Sequence, residues 1–568
     1  MPFLGSGLRL LSSEARSLHG AVYVLASAAV LSSLLALLRD RLFAHTFGAG
    51  VELDIYYAAF RIPDLIFVAI GALVSVYILI PELARRSETE QKRYIDTVCI
   101  GFSLLAVCGA GAAYVAAPLI LATLFPHFAE QGVLPDVVLL ARVLLIQPVL
   151  LGFSNILAAI TQSRHRYALY ALSPLLYNIG IIAGILIFYP LFGIVGLAWG
   201  VVLGALFHMS IQIPSILRDG FFRSPSRFEP RVFLRTITIS VPRALALSVN
   251  QVAFIGLTVL AGGLSAGSIA VFMFAYNLQA VPLAVIGASY SVAAFPTLAV
   301  AYAAGKRNEF IEQVAGAARH VLFWSLPAMA LLIVLRAHIV RTVLGSGAFD
   351  WADTRLTAAL LASFSISLAA QGIMLLLVRG YYAAGRTFVP LAVSIASGAS
   401  MVLVGVLLLS AFEDPQRLAF LESALRVGDV PGSSVAALAL SYAFASILGA
   451  IVLVLHFEYT FGAFFEKIRR TLWQSTLAAL LAGGSAYTVL TFMGPLTLSS
   501  TLASVFLRGI AGGLVGVFVA ALVYRMLGNT EFAENVATIR SKVWRGAKES
   551  EVPTVVSSAE DIGHTSPQ

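Results

Sequence analysis

The chain has 568 residues, a mean hydropathy of +0.90, 59% hydrophobic and 12% charged residues, and a formal net charge of +8. A soluble protein of this length needs far more polar surface, so the composition excludes one. No basic–aromatic nucleic-acid motif accompanies the positive charge, which therefore belongs to short loops on one membrane face rather than to an RNA or DNA site.

Hydrophobic stretches of roughly 20 residues recur from end to end, uniformly apolar rather than alternating, and so read as helices and not as barrel strands. The first, 20–47, follows Arg9 and Arg16 and runs into Arg39 and Asp40 with no small-residue cleavage site. It is read as a retained helix and not as a signal peptide. The second span is 54–82. The third, 95–125, holds Cys99 and Cys108, whose separation along a helix of about 13–14 Å is too long for a disulfide. Spans at 135–162, 167–189 and 193–217 complete a first set of six. A second set covers 235–262, 267–303, 312–335, 354–383, 387–411 and 433–458, with a short surface helix expected in the mixed-charge segment 412–432. Two more spans, 471–493 and 502–527, precede a polar tail that is Ser-rich after about 546. The expected fold class is an all-α polytopic membrane protein with about fourteen transmembrane helices. Its expected divisions are an N-terminal lobe 1–217, a C-terminal lobe 218–460, two additional helices within 461–530, and a tail 531–568.

Loop charge alternates. Arg85, Arg86, Lys92 and Arg93, then Arg164 and Arg166, then the five arginines of 218–235, then Lys467, Arg469 and Arg470 all fall on one face. The loops around 48–53, 126–134, 190–193, 263–267 and 494–501 are nearly free of Lys and Arg. This predicts both termini in the cytoplasm of a multi-pass protein. The opposite-face segment 336–353 departs mildly, with Arg336 and Arg341 beside Asp350 and Asp353.

An internal repeat is visible. Ile70-Gly71-Ala72, Ser75-Val76 and Pro81-Glu82-Leu83 in the second span correspond to Ile286-Gly287-Ala288, Ser291-Val292 and Pro296-Thr297-Leu298 in the eighth, with the Ser-to-Pro spacing differing by one residue. Recurrence six helices later predicts two lobes related by an axis along the membrane normal, the usual frame for alternating access around a mid-membrane site. Prolines within or at the ends of spans, among them Pro63, Pro81 and Pro242, allow local kinks that neighbouring helices satisfy.

The segment Arg39-Asp40, Phe47-Gly48-Ala49-Gly50, Asp54 and Ala59-Phe60-Arg61-Ile62-Pro63 resembles the lipid II flippase family of the multidrug/oligosaccharidyl-lipid/polysaccharide exporter superfamily. The likeness continues through Pro174-Leu175-Leu176-Tyr177-Asn178, Gly196-Leu197-Ala198-Trp199-Gly200, Gln212-Ile213-Pro214 and Arg379-Gly380-Tyr381-Tyr382-Ala383, over about residues 20–530. Family arginines are replaced here by Ser33, by an apolar residue between Leu65 and Phe67, and by Asn277; Ile70 stands where the family has Glu.

An arginine at the centre of a membrane helix costs roughly 2.5–3.5 kcal/mol to insert, so it usually faces a cavity or a partner. Arg39, Asp54 and Arg61 are therefore candidates for a cationic cavity with an acidic outer gate. The structural alternative is an Arg39–Asp54 or Arg61–Asp64 ion pair that locks helices. Arg243, beside Pro242 and about 12 Å into the seventh span, is the candidate replacement cation in the second lobe, with Asn277 a neutral contact. His208 is expected to pack or hydrogen-bond, Arg142 and Arg379 to snorkel, and Asn178 and Gln251 to link helices.

The resemblance implies a substrate consisting of a lipid-linked diphosphate glycan, whose oxygens suit guanidinium forks, with the last two helices forming a groove for its prenyl tail. It implies export of lipid-linked peptidoglycan precursor across a bacterial inner membrane. The alternatives are a flippase for another polyprenyl-diphosphate glycan and a transport-dead cell-wall scaffold. Membrane lipids and cell-wall synthesis proteins are the implied partners. A membrane enzyme would need clustered carboxylates or a metal-binding His/Asp set at a membrane face; no clear cluster, phosphate loop or zinc spacing occurs, so no catalytic residue and no cofactor is expected. Coupling to Na⁺, H⁺ or membrane potential is left open by the sequence.

Overall fold

The structure, a computed structural model, describes residues 18–548 except Ser75, His165, 223–227 and 498–499, and omits some side chains within helices, Arg243 among them. The expectations attached to Arg9, Arg16, Ser75, Arg223, Arg227 and the tail beyond Lys548 lie outside the described residues. No strand occurs among the described residues.

The long helices are α1 (Leu18–Phe47), α2 (51–84), α3 (Glu88–Leu124), α4 (Leu134–Ser163), α5 (167–192), α6 (Ile194–Arg218), α7 (Pro230–Gly262) and α8 (Ser268–Ala303). They continue as α9 (Arg307–Val343), α10 (Trp351–Ser365 with Leu368–Ala383), α11 (Phe388–Ala411), α12 (Ser433–Phe461), α13 (Phe464–Phe492) and α14 (Leu502–Met526). Ten are long and apolar enough to cross a membrane, and α10, bent by 45°, makes an eleventh. The remaining expected spans are α1, α2 and α7. Of these, α2 is broken into short pieces, and the apolar stretch of α7 among the described residues is Ser248–Gly262.

Helix starts follow ordinary capping chemistry. Ser87 and Glu90 form a capping box at α3, the Ser87 N–H donating to Glu90 Oε2 at 2.9 Å. Asp350 caps α10 by accepting from the Asp353 N–H at 2.8 Å. Asp414 followed by Pro415 opens the expected surface helix, which spans Pro415–Leu425. A helix not separated in the sequence, Thr530–Lys548, begins the tail. It is moored by Glu531, which is 2% exposed and takes Arg319 Nε at 2.8 Å and Thr471 Oγ1 at 3.2 Å. Cys99 and Cys108 are both free thiols on α3.

Packing differs along the membrane normal. At the end remote from the basic loops, one hydrophobic core unites the two halves: Phe43 and Tyr56 pack in the same cluster as Phe272, Phe349 and Phe364. At the basic end there are two cores. One holds Leu79, Phe102 and Ile156 of the first half; the other holds Phe310, Leu376 and Phe457 of the second. A body joined at one end and divided at the other is V-shaped. Helix α7 spans the division: Ser240 Oγ donates to Leu73 O at 3.0 Å and Tyr94 Oη meets Thr236 Oγ1 at 3.2 Å, although α7 ends against the second half.

Two local features set the helix paths. In the first half α5 and α6 touch backbone to backbone, since a Cβ on Gly200 would stand 2.3 Å from Gly184 Cα and one on Gly180 2.2 Å from Gly204 Cα. Small residues four apart allow this approach where lipid gives no hydrophobic drive. The second feature lies on the repeat. Phe67–Gly71 in α2 and Ala284–Ala288 in α8 are both single π turns, one residue apart in register when Gly71 is set on Gly287, and α5 carries another at Gly184–Phe188. The first copy then enters a 3₁₀ turn, Ala72–Val74, whereas the second returns directly to α-helix. The one-residue difference in Ser-to-Pro spacing falls beside this irregular stretch.

A candidate substrate cavity between the halves

The divided end encloses a cavity of about 1110 Å³. Arg61, Asp64, Asn155 and Tyr170 line it from the first half, and Tyr276, Gln371, Ser397 and Tyr442 from the second, with Asn250, Gln251 and Phe254 of α7 between them. Its lining runs from Arg61 at mid-helix depth to Pro81, Gln162 and Tyr382 near the basic end. A smaller cavity of about 160 Å³ adjoins it, sharing Arg61, Asp64 and Met273 and adding Arg39, Tyr177 and Asn277.

The structure brings Arg39, Arg61 and Asn277 together at this neck. Arg39 donates through Nε (2.9 Å) and Nη2 (2.7 Å) to Asp40 Oδ1 and through Nη1 to Asn178 Oδ1 at 3.1 Å. Asn277 donates to the other Asp40 oxygen at 3.1 Å. One chain of polar contacts therefore joins α5, α1 and α8, crossing from the first half to the second. Arg61 is 3% exposed. Its Nε is committed to Tyr57 O at 3.0 Å, Asp64 stands 3.7 Å from Nη2, and the guanidinium lies 5.7 Å from the Phe254 ring centroid. An Arg61–Asp64 pair is thus present, but at a length that leaves donors for an anion in the cavity.

Asp54 does something else. It forms no pair with Arg39. Its carboxylate accepts the Gly267 N–H at 2.6 Å and the Ala270 N–H at 2.8 Å, capping the first turn of α8 from across the molecule. The positive end of a helix dipole and two orphan N–H groups hold a buried carboxylate well. The surrounding turn is tight: Gly267 has φ +85°, and a Cβ there would meet Ala49 O at 1.9 Å. The Ala49 N–H in turn donates to Asp353 Oδ2 at 3.0 Å, and the Ala348 N–H to His45 O at 2.9 Å. The Phe47-Gly48-Ala49-Gly50 turn is therefore the keystone of the closed end, tied to the α7–α8 and α9–α10 connections.

Arg243 lies on α7, and its side chain is outside the described residues. His208 accepts or donates at 2.7 Å to Ser154 Oγ, within the first half. Asn178 links helices through Arg39, whereas Gln251 lines the cavity instead. Arg142 folds over the Tyr114 ring at 4.5 Å. Sequence reading named Asp64 only as an ion-pair partner of Arg61 and did not single out Asp40 or Asp353 as site residues. The signal for Asp40 was its adjacency to Arg39 in the Arg39-Asp40 pair, since the Arg39 side chain folds back onto its neighbour. Asp353 sits in a loop-proximal capping box, and nothing local announces its reach to Ala49.

Two helical halves joined at one end, divided at the other and carrying two arginines at the neck define a two-bundle membrane transporter. Solved folds agree: an inward-facing multidrug resistance MATE family transporter of the MOP superfamily aligns with TM-score 0.61 and 16% identity over 78% of this chain and 99% of that one. A "Lipid II flippase MurJ, inward closed conformation" aligns with TM-score 0.72 and 21% identity over 89% and 99%. The chain belongs to the lipid II flippase MurJ family, whose profile matches residues 43–415. A probable lipid II flippase MurJ of Thermotoga maritima is 26% identical over 511 residues, 89% of this chain and 95% of its own length. One from Buchnera aphidicola subsp. Acyrthosiphon pisum is 27% identical over 378 residues, 64% of this chain and 73% of its own.

Proposed function

We propose that the chain flips lipid II, the lipid-linked peptidoglycan precursor, from the inner to the outer leaflet of a bacterial inner membrane by alternating access. The observation that carries this reading is the cavity itself. It holds buried Arg61 and half-buried Arg39 at its neck, reaches toward the basic end, and is closed at the other end by Asp54 and Asp353. With the basic loops and both termini placed in the cytoplasm, the described state faces inward and receives a head group from the inner leaflet. The guanidinium groups grip the diphosphate oxygens, and the prenyl tail stays in lipid. Release of the Asp54 contacts with Gly267 and Ala270 opens the outer end, and division between the halves then closes inside. The residues carry out binding and passage, with no bond made or broken, and cell-wall synthesis proteins receive the product.

One observation favours the alternative of another polyprenyl-diphosphate glycan: Asn277, a neutral amide, meets Asp40 where the family resemblance leads one to expect an arginine. Complementation of a flippase-depleted bacterium separates the readings. Rescue of growth supports lipid II; a folded, membrane-inserted protein that fails to rescue rejects it. Moving an anionic head outward across an inside-negative membrane is favourable by about 2.3 kcal/mol per charge per 100 mV. Export in vesicles should therefore slow when the potential is collapsed.

A further inference from the structure

We propose that Arg336 and Arg426, at the end of the molecule opposite the basic loops, form a binding site for a lipid-borne phosphate group beside α9 and α13. This end is poor in Lys and Arg, as the positive-inside pattern requires, so each arginine on it calls for a partner. Several have one. Arg417 stands 3.4 Å from Asp414, and Arg355 stands 2.5 Å from Asp429. Arg336 and Arg426 have no carboxylate at ion-pair distance among the described residues. Arg336 donates only to carbonyls, Ile333 O at 3.3 Å and Leu425 O at 3.2 Å. Arg426 donates to Tyr487 Oη at 3.1 Å and lies 5.9 Å from that ring's centroid. The Leu425 carbonyl that Arg336 holds belongs to the residue before Arg426, which brings the two arginines to the same end of the surface helix. Three elements, α9, the surface helix and α13, thus converge two guanidinium groups on one place with their charge uncompensated.

The backbone adds an independent observation. Arg426 caps the surface helix in the left-handed region, with φ +61°. Glycine is the usual residue there, and a side chain costs roughly 1–2 kcal/mol. The Arg426 carbonyl is held by Arg355 Nη2 at 2.6 Å, which fixes the turn and aims the side chain at Tyr487. The neighbourhood is that of a membrane boundary: Tyr487 is 49% exposed and Phe420, on the surface helix, 76%. A paired guanidinium site at that depth, with an aromatic hydroxyl as third donor, matches the acceptor-rich tetrahedral oxygens of a phosphate carried on a lipid.

The test uses the full chain in a mild detergent, with bound lipid counted by native mass spectrometry. The probes are dioleoyl phosphatidylglycerol and undecaprenyl diphosphate, with diacylglycerol as the phosphate-free control. Loss of two charge-assisted contacts in Arg336→Gln with Arg426→Gln should weaken binding by roughly tenfold or more, while Lys at both positions retains part of it. Dependence seen with phosphatidylglycerol assigns the site to resident phospholipid; dependence seen with the isoprenoid diphosphate assigns it to that lipid. Absence of any difference with either probe overturns the proposal. Arg426→Gly gives a second reading that folding cannot confuse. It relieves the backbone, so Tm should hold or rise, while phosphate-lipid binding falls. Unchanged binding in a stable Arg426→Gly protein also overturns the proposal. Neither measurement depends on what the central cavity carries.

Discussion

The two halves of this transporter share a helix plan and a π turn within one residue of the same place, yet they differ in both charge and packing. The first half supplies Arg39, Asp40, Arg61 and Asp64 to the neck of the cavity. The second offers Asn277 at the neck and Gln371, Ser397 and Tyr442 in the main cavity, among its described residues. The first half is also seamed by glycine, α5 on α6, whereas the corresponding close pair of the second, α11 and α12, meets through side chains: a Cβ on Gly449 would strike Ser397 Oγ. A charged half paired with one that presents amides and hydroxyls at its described positions can move a ligand without trapping it. The ligand's charge is held from one side only, and the other side can withdraw.

The comparison can be broken most severely through packing. Gly200→Ala places a methyl 2.3 Å from Gly184 Cα, which only backbone displacement can relieve; overpacking of this kind costs about 1–3 kcal/mol or more. Folded protein in the membrane should collapse, measured by detergent-resistant monomer yield. Gly398→Ala in the second half, where the nearest atom is the Ala253 methyl at 3.1 Å, should be recovered in near-normal amounts. Equal losses would remove the packing difference.

Charge is the next lever. Arg39→Ala and Arg61→Ala should each abolish complementation at normal protein levels, since each removes a guanidinium from the cavity wall that would hold an anionic head. Normal growth of either variant would show the first half's charge to be dispensable. Arg243 bears on the same point from the other side. Arg243→Ala should reduce complementation and Arg243→Lys restore part of it, adding a cation to the second half. Full activity of Arg243→Ala would leave that half neutral.

A smaller effect is expected at the closed end. Asp54→Asn keeps the shape but loses the charge-assisted bonds to Gly267 and Ala270, worth about 1.5–3 kcal/mol each. The halves should part more readily there, so a cysteine replacing Met273 should react roughly tenfold faster with an impermeant thiol reagent added from outside. An unchanged rate would show that Asp54 does not hold that end shut. The mildest change should be Asn277→Ala, which removes one amide hydrogen bond worth about 1 kcal/mol and should lower Tm by a few degrees at most. If it disabled transport as fully as Arg39→Ala, the two halves would be energetically alike after all.

Much of this plan was legible in the residues. Helix positions followed from runs of apolar residues, because backbone polar groups in lipid leave few alternatives to a helix. The repeat around Gly71 and Gly287 foretold two equivalent helices, and Asn178 was rightly read as a link between helices. The role of Asp54 was not legible. A carboxylate near a cation on the neighbouring helix suggests an ion pair, and only the fold shows that the backbone of residues 267–270, over two hundred positions away, arrives first. Nor could the glycine seam be told from scattered small residues. Gly180, Gly184, Gly200 and Gly204 become a motif only when two helices face each other in one register. The helix at Thr530–Lys548 was hidden by its polar composition and is held by ion pairs whose partner, Arg319, lies on α9.

The twin π turns carry a lesson about ancestry. A π turn amounts to one residue wedged into a helix, and it is retained mainly where the distortion is useful. Phe67–Gly71 and Ala284–Ala288 lie within one residue of the same place in the two repeats. If both halves descend from one duplicated segment, the wedge was already present in the single-copy ancestor. That ancestor would have assembled as a pair of identical subunits, each bringing the same bent helix to their shared cavity. The present asymmetry of charge would then be the later acquisition, a specialisation laid over a joint that both halves inherited.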